Sequence, residues 1–152
     1  MKKSINKLLL GLSGLLVLLI GGGFLYLSLA LPNVGPPPAI EIAKTPEQVT
    51  RGSYLANHMM VCMDCHSQRD WNKYAGPSIA STLGQGGEKF GHDLGFPGEF
   101  YAPNITPAAL GSWTDGEIFR AVTTGVSKDG RALFNVMPYH NRAAENLSKL
   151  RI

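Results

Sequence analysis

The stretch VCMDCHSQRD, residues 61–70, contains both cysteines of this 152-residue chain. They are Cys62 and Cys65, and His66 follows the second one directly. On a helical turn, side chains three and four positions apart lie on the same face. The two thiols and the imidazole are therefore expected to project together from one short helical turn.

Four kinds of site use cysteines at this spacing. Cys-x-x-Cys-His is the pattern that attaches a c-type haem. A redox-active pair is expected in a thioredoxin-like strand-helix-strand context, which the sequence lacks. A structural zinc site needs four ligands, so His58, His92 or His140 would have to contribute. A simple disulfide leaves His66 without a role. The pattern favours covalent haem, with a disulfide or redox pair and zinc as the alternatives.

An uncharged, apolar segment occupies residues 8–31 and is preceded by Lys2, Lys3 and Lys7. A helix of about 20 apolar residues crosses a bilayer. We therefore expect residues 1–7 to be a cytoplasmic tip and residues 8–31 a transmembrane anchor, because lysines stay on the cytoplasmic side. The rest of a single-pass protein of the cell inner membrane would then face the periplasm or the cell exterior. Cleavage after Ser28-Leu29-Ala30, as in a secretory signal, is the alternative.

The charge of the chain argues against a nucleic-acid partner. The formal net charge is +3, and three of the lysines lie in the first seven residues. From Pro32 onward, eleven basic residues balance eleven acidic ones. A nucleic-acid-binding domain needs clustered basic residues of its own, so we expect no such partner.

The exported part begins with a proline-rich linker over residues 32–44, which is typical of a semi-rigid spacer. A domain over residues 45–152 follows. Its first helix is expected from about Pro46 to Met59, with Thr45 as N-cap and Gln48 completing a capping box.

A second helix of the domain is capped by Thr114 and ends at Gly125. Residues 67–112, between the two helices, are rich in glycine and proline and lack periodicity. A loop of that length in a compact domain usually lines something.

Four segments carry a resemblance to a known family: RGSYLANHMMVCMDCHSQRDW, GEFYAPNITP, GSWTDGEIFRAVTTGV and RALFNVMPY. They resemble membrane-anchored bacterial c-type cytochromes of class I, and are similar to the haem modules in cytochrome subunits of membrane dehydrogenases. The resemblance implies a mostly α, class I cytochrome c fold with long irregular loops, preceded by one transmembrane helix. It also implies one covalently bound haem c.

The resemblance assigns roles to individual residues. Cys62 and Cys65 would form the thioethers, His66 would be the proximal iron ligand and Met137 the distal one. His140 is the competitor for the distal position. The second ring nitrogen of a ligating histidine usually donates to a carbonyl or carboxylate, and the family places that acceptor at a proline. By this resemblance Pro77 would supply the carbonyl that accepts from His66. The residues that would reach the haem propionates are Asn104, Thr106 and Trp113.

The implied function is single-electron transfer by a protein that is not itself an enzyme. Its partner would be a membrane dehydrogenase, an oxidase or another cytochrome. A haem enzyme or gas sensor, such as a peroxidase, needs an open sixth iron position and a distal acid-base residue, for which His92 or His140 would serve. A third alternative is a membrane-tethered binding module without a cofactor.

The sequence departs from this family at its C-terminal end. Relatives carry a full helix after the methionine loop, whereas here Leu147, Leu150 and Ile152 would make about two turns. We therefore expect a C-terminal helix that is short or truncated. Asn135 also stands where relatives tend to have a proline before Val-Met-Pro.

Overall fold

The computed structural model describes residues 2–139, and within them helices predominate. The elements are α1 (Lys2–Ala30), α2 (Pro46–Tyr54), α3 (Cys62–Cys65), α4 (Pro107–Leu110), α5 (Asp115–Thr124), β1 (Lys89–Phe90) and β2 (Phe100–Tyr101). The chain divides into two compact units. We call Ala39–Gly116 the cysteine unit, and the described residues of Met1–Pro38 and Glu117–Ile152 the terminal unit. The predicted mostly α composition is confirmed in these residues.

Helix α1 is long enough and apolar enough over Lys3–Ala30 to cross a membrane. It begins before the uncharged segment and ends at Ala30. Its leucines are largely exposed, as Leu18 at 74% illustrates. A signal sequence near an N-terminus can also form a long apolar helix, so a membrane anchor stays a prediction.

Helix α2 begins where the sequence predicts. Thr45 is its N-cap, with Oγ1 accepting a hydrogen bond from the Gln48 N–H at 3.3 Å. The reciprocal half of the capping box does not form, because Gln48 Oε1 is buried without a partner among residues 2–139.

The expected α-helix to Met59 is wrong in its last part. The α-helix ends at Tyr54, and Leu55–Met59 form a π-helix that closes with a 2.8 Å bond from the Met60 N–H to the Leu55 carbonyl. Apolar spacing misses this change, because one π turn shifts the side-chain period by a single residue.

The segment between the two long helices of the domain is irregular, as predicted, and its glycines form turns. Gly84, Gly86 and Gly87 all have positive φ. A two-stranded antiparallel pair, β1 with β2, brings Phe90 opposite Phe100. The ring of Phe96 packs edge-on against both phenylalanines. Strands of two residues carry no alternating pattern, so the sequence did not predict them.

Helix α5 and its C-terminal glycine are confirmed. The helix ends at Thr124, and Gly125 has the left-handed φ of +70° that helix termination often requires. Ala121 on this helix and Val126 just after it are buried. The expected short C-terminal helix with Leu147, Leu150 and Ile152 lies outside the described residues, and so does His140.

Candidate functional site

A strained backbone leads into the cysteine motif. Val61 has φ 45° and ψ 36°, in the left-handed region, and it is the N-cap of α3. For a β-branched residue this conformation is a true outlier, and such strain clusters at functional sites. The π-helix directly before it is a second feature that is frequent at functional sites. Together they redirect the chain so that a new helical turn begins at Cys62.

Cys62 and Cys65 lie half-buried on that single turn, and no disulfide joins their sulfur atoms. The N–H of His66 donates to the carbonyl of Cys62 at 2.9 Å, which holds the histidine at the end of the turn. The expected helical spacing of the three residues is therefore present.

The electrostatics of Cys65 do not favour thiol-disulfide chemistry. Burial raises the pKa of the Cys65 thiol, and the negative charge of Asp64 raises it further. Redox-active cysteines instead have depressed pKa values that populate the thiolate. Within residues 2–139, no three His, Cys, Asp or Glu side chains are grouped to hold a metal ion, so these residues do not form a four-ligand zinc site.

His66 is oriented by a carbonyl from a distant part of the chain. Its Nδ1 lies 2.8 Å from the carbonyl oxygen of Pro103. A carbonyl oxygen only accepts, so Nδ1 donates its proton to it, and Nε2 is the ring nitrogen left to bind a metal ion. Metal-ligating histidines are commonly held in this way by their second ring nitrogen.

Pro77, which the sequence interpretation gave this role, has a different one. Its carbonyl accepts from the Asp70 N–H at 3.0 Å, in a loop bridged by Arg69 and Ser78. The Arg69 guanidinium donates to the carbonyls of Ala75 and Gly76, which closes the loop on itself. This loop uses the Pro77 carbonyl internally, and the acceptor for His66 is Pro103.

A glycine lets the Pro103 segment approach His66. Gly86 donates its N–H to the His66 carbonyl at 2.8 Å and has φ +78°. A Cβ at this position would lie 2.5 Å from the Ala102 carbonyl oxygen and 2.7 Å from the Pro103 carbonyl carbon. Only a residue without a side chain fits between these two backbone segments.

The remaining residues predicted around the haem are divided between the two units. Asn104 directly follows Pro103, and its Oδ1 accepts from the N–H and the hydroxyl of Thr106 at 2.8 and 2.7 Å. Trp113 is half-buried in the same cysteine unit, just before α5. Met137 is half-buried in the terminal unit.

His92, the candidate acid-base residue, is exposed, and its Nδ1 lies 3.0 Å from the Phe96 carbonyl. A carbonyl oxygen accepts only, so this nitrogen donates a hydrogen bond that closes the turn after β1.

Sequence reasoning missed Ser67, which follows His66. It is completely buried, and its Oγ accepts from the Gly84 N–H at 3.2 Å. Besides five glycines, Ser67 is the only buried residue in Ala39–Gly116, where every apolar side chain is half-buried or exposed. A domain of this size normally buries aliphatic side chains, so the cysteine unit has little apolar core of its own.

Comparison with known proteins adds a direct similarity. Over 106 residues the chain is 32% identical to the cytochrome c subunit of an alcohol dehydrogenase (quinone) from Gluconacetobacter polyoxogenes, a match that covers 64% of this chain. It is 34% identical over 85 residues, 54% of the chain, to the cytochrome subunit of a fructose dehydrogenase from Gluconobacter japonicus. The chain is similar to a c-type cytochrome module of dehydrogenase cytochrome subunits. The predicted resemblance to such haem modules is confirmed.

A third relative is also a cytochrome c subunit of a dehydrogenase, and all three relatives are much longer than the segment that matches this chain. The cytochrome c subunit of a gluconate 2-dehydrogenase from Pantoea cypripedii is 32% identical over 99 residues, 62% of this chain. The chain spans 15–19% of the length of these relatives. No protein-family model matches it.

Proposed function

We propose that this protein is a single-electron carrier that holds one covalently bound haem c. The observation that carries the proposal is the arrangement of Cys62, Cys65 and His66 on one turn, with His66 Nδ1 held by the Pro103 carbonyl. Two thiols at this spacing suit the two vinyl groups of a haem, and the lone pair on Nε2 suits its iron. When bound, the haem supplies a reversible one-electron couple between ferrous and ferric iron.

The packing of the cysteine unit also supports the proposal that this unit binds a large apolar group. Met63 and Ile105 are half-buried and lie near Gly84, whose added Cβ would contact both. With so little apolar burial of its own, this unit gains stability from a hydrophobic group packed against such side chains. The haem would therefore serve as core as well as redox centre.

The class I assignment and the distal ligand are further parts of the proposal. Met137 would be the second residue to hold the haem iron, because the Met-Pro-Tyr segment resembles the ligand loop of the family. Asn104 and Trp113 would face the propionates, and the Oδ1 bonds to Thr106 fix the orientation of Asn104. A Met/His pair raises the reduction potential, which suits an electron carrier.

The partner in this proposal is a dehydrogenase, with an oxidase or another cytochrome as the other candidates. Three relatives are cytochrome subunits of alcohol, fructose and gluconate dehydrogenases. The chain would receive electrons from such a dehydrogenase while α1 anchors it in the cell inner membrane. The domain would face the periplasm or the cell exterior.

Covalent attachment gives the decisive test. The protein, expressed with a haem-attachment system and denatured, should keep its haem in acid-acetone, and its reduced-minus-oxidised spectrum should be that of a c-type cytochrome. Cys62→Ala with Cys65→Ala should abolish the retained haem, because both thioethers are lost. Met59→Ala, at a site that is 62% exposed, is the matched control and should retain it. Haem that acid-acetone extracts from the unmodified protein would contradict the proposal.

Topology is tested separately from haem binding. The mature protein should fractionate with the inner membrane and keep residues 8–31, because helix α1 is long enough to span it. Mass spectrometry of the purified N-terminus, with protease treatment of spheroplasts, checks both points. A soluble periplasmic product that begins near Leu31 would show that the segment is a cleaved signal.

A further inference from the structure

The segment that carries Met137 is tied to the end of helix α5. The first contact between the segment and the helix is made by Arg120 of α5. Its guanidinium donates to the carbonyls of Ser127 and Lys128 at 2.6 and 3.2 Å. The Leu133 N–H donates to the Gly125 carbonyl at 2.7 Å. Residues 125–133 are therefore folded back as a turn on the helix that precedes them.

The second contact lies next to Met137 itself. The Tyr139 N–H donates to the Met137 carbonyl at 2.8 Å, which closes a tight turn around Pro138. Proline's fixed φ of about −65° suits the centre of such a three-residue turn. The position of Met137 is therefore coupled through two residues of backbone to the position of the Tyr139 ring.

The Tyr139 ring lies directly against Gly125. A methyl group added at Gly125 would be 2.6 Å from two carbons of the ring, closer than side-chain carbons approach. Gly125 also has φ +70°, the conformation that ends α5. This glycine therefore has two functions, because it terminates the helix and leaves room for the aromatic ring.

We propose that Tyr139 and Gly125 are positioning residues for the distal ligand: the ring seated on the glycine sets where the Met137 thioether lies. This inference rests on the proposed function, in which Met137 binds the iron. Without the contact, the turn at Pro138 would lose its fixed distance from α5, and the thioether would leave the iron for part of the time.

The test compares two glycines on the same segment. Gly130 has φ +83° but nothing within 4 Å of an added Cβ, so Gly130→Ala carries the same backbone strain without touching the ring. Gly125→Ala adds the overlap with Tyr139. In the haem-loaded protein we expect Gly125→Ala to lose most of the sulfur-to-iron absorption band and to bind carbon monoxide in the ferrous state. Gly130→Ala should keep the band and stay inert to carbon monoxide.

Ring variants keep the proposal testable if Gly125→Ala does not fold. Tyr139→Leu removes the ring without adding strain, and we expect it to weaken the band and to admit carbon monoxide. Tyr139→Phe keeps the ring and should keep the band. Equal behaviour of the two glycine variants, or of the leucine and phenylalanine variants, would overturn the positioning role. If Met137→Ala leaves the band of the parent protein unchanged, Met137 is not the iron ligand and this inference fails with that assignment. The proposed function is tested separately, by the retention of haem in acid-acetone.

Discussion

Replacing Met137 by alanine is expected to remove the sulfur-to-iron absorption band of the oxidised protein and to lower the reduction potential. A thioether is a soft ligand that favours ferrous iron, and the Met/His pair is the combination that raises the potential of c-type haems. The variant should also bind carbon monoxide in most molecules, because its sixth iron position is open. Optical spectra, a redox titration and carbon monoxide difference spectra check the three effects.

Met59→Ala is the control for this substitution. It removes the same kind of side chain from a site that is 62% exposed, so band and potential should stay unchanged. A parent protein whose spectrum is unaffected by Met137→Ala but altered by His140→Ala would instead have two histidine ligands. Equal effects of the Met137 and Met59 variants would show a general loss of packing rather than of a ligand.

Gly86→Ala is expected to have the largest effect on stability. The left-handed φ of +78° alone costs an alanine about 1–2 kcal/mol. The new methyl group would also lie 2.5 Å from the Ala102 carbonyl oxygen, and such overpacking costs about 1–3 kcal/mol more. Because the overlap pushes on the chain just before the Pro103 carbonyl, the hydrogen bond to His66 Nδ1 should lengthen as well. Urea unfolding of the haem-loaded protein measures the first effect.

Gly95→Ala separates the two contributions to that loss. Gly95 has φ +81° and nothing within 4 Å of an added Cβ, so this variant should lose only the conformational part. The midpoint of its redox titration should match the parent, whereas that of Gly86→Ala should shift with the orientation of His66. If both variants lose the same free energy of unfolding, the close packing of Gly86 on the Pro103 segment does not contribute to stability.

Local spacing along the chain determined the parts of the site that lie within a few residues of one another. The positions of Cys62, Cys65 and His66 on one turn follow from helical geometry. The cap at Thr45 and the glycine after α5 follow from the hydrogen-bonding needs of helix ends. These features depend on side-chain type and on bonds to near neighbours, which the sequence contains in full.

The tertiary structure decided which distant groups reach that turn. His66 donates to a backbone carbonyl 37 positions away. Every residue in the chain interior offers such a carbonyl. The choice of Pro103 over Pro77 therefore depends on the path of the chain, with Gly86 admitting the close approach. The packing of the Tyr139 ring on Gly125 was also decided by the tertiary structure, since the sequence shows a helix-ending glycine but not the ring that packs on it. Backbone acceptors look alike in a sequence, and only packing selects among them.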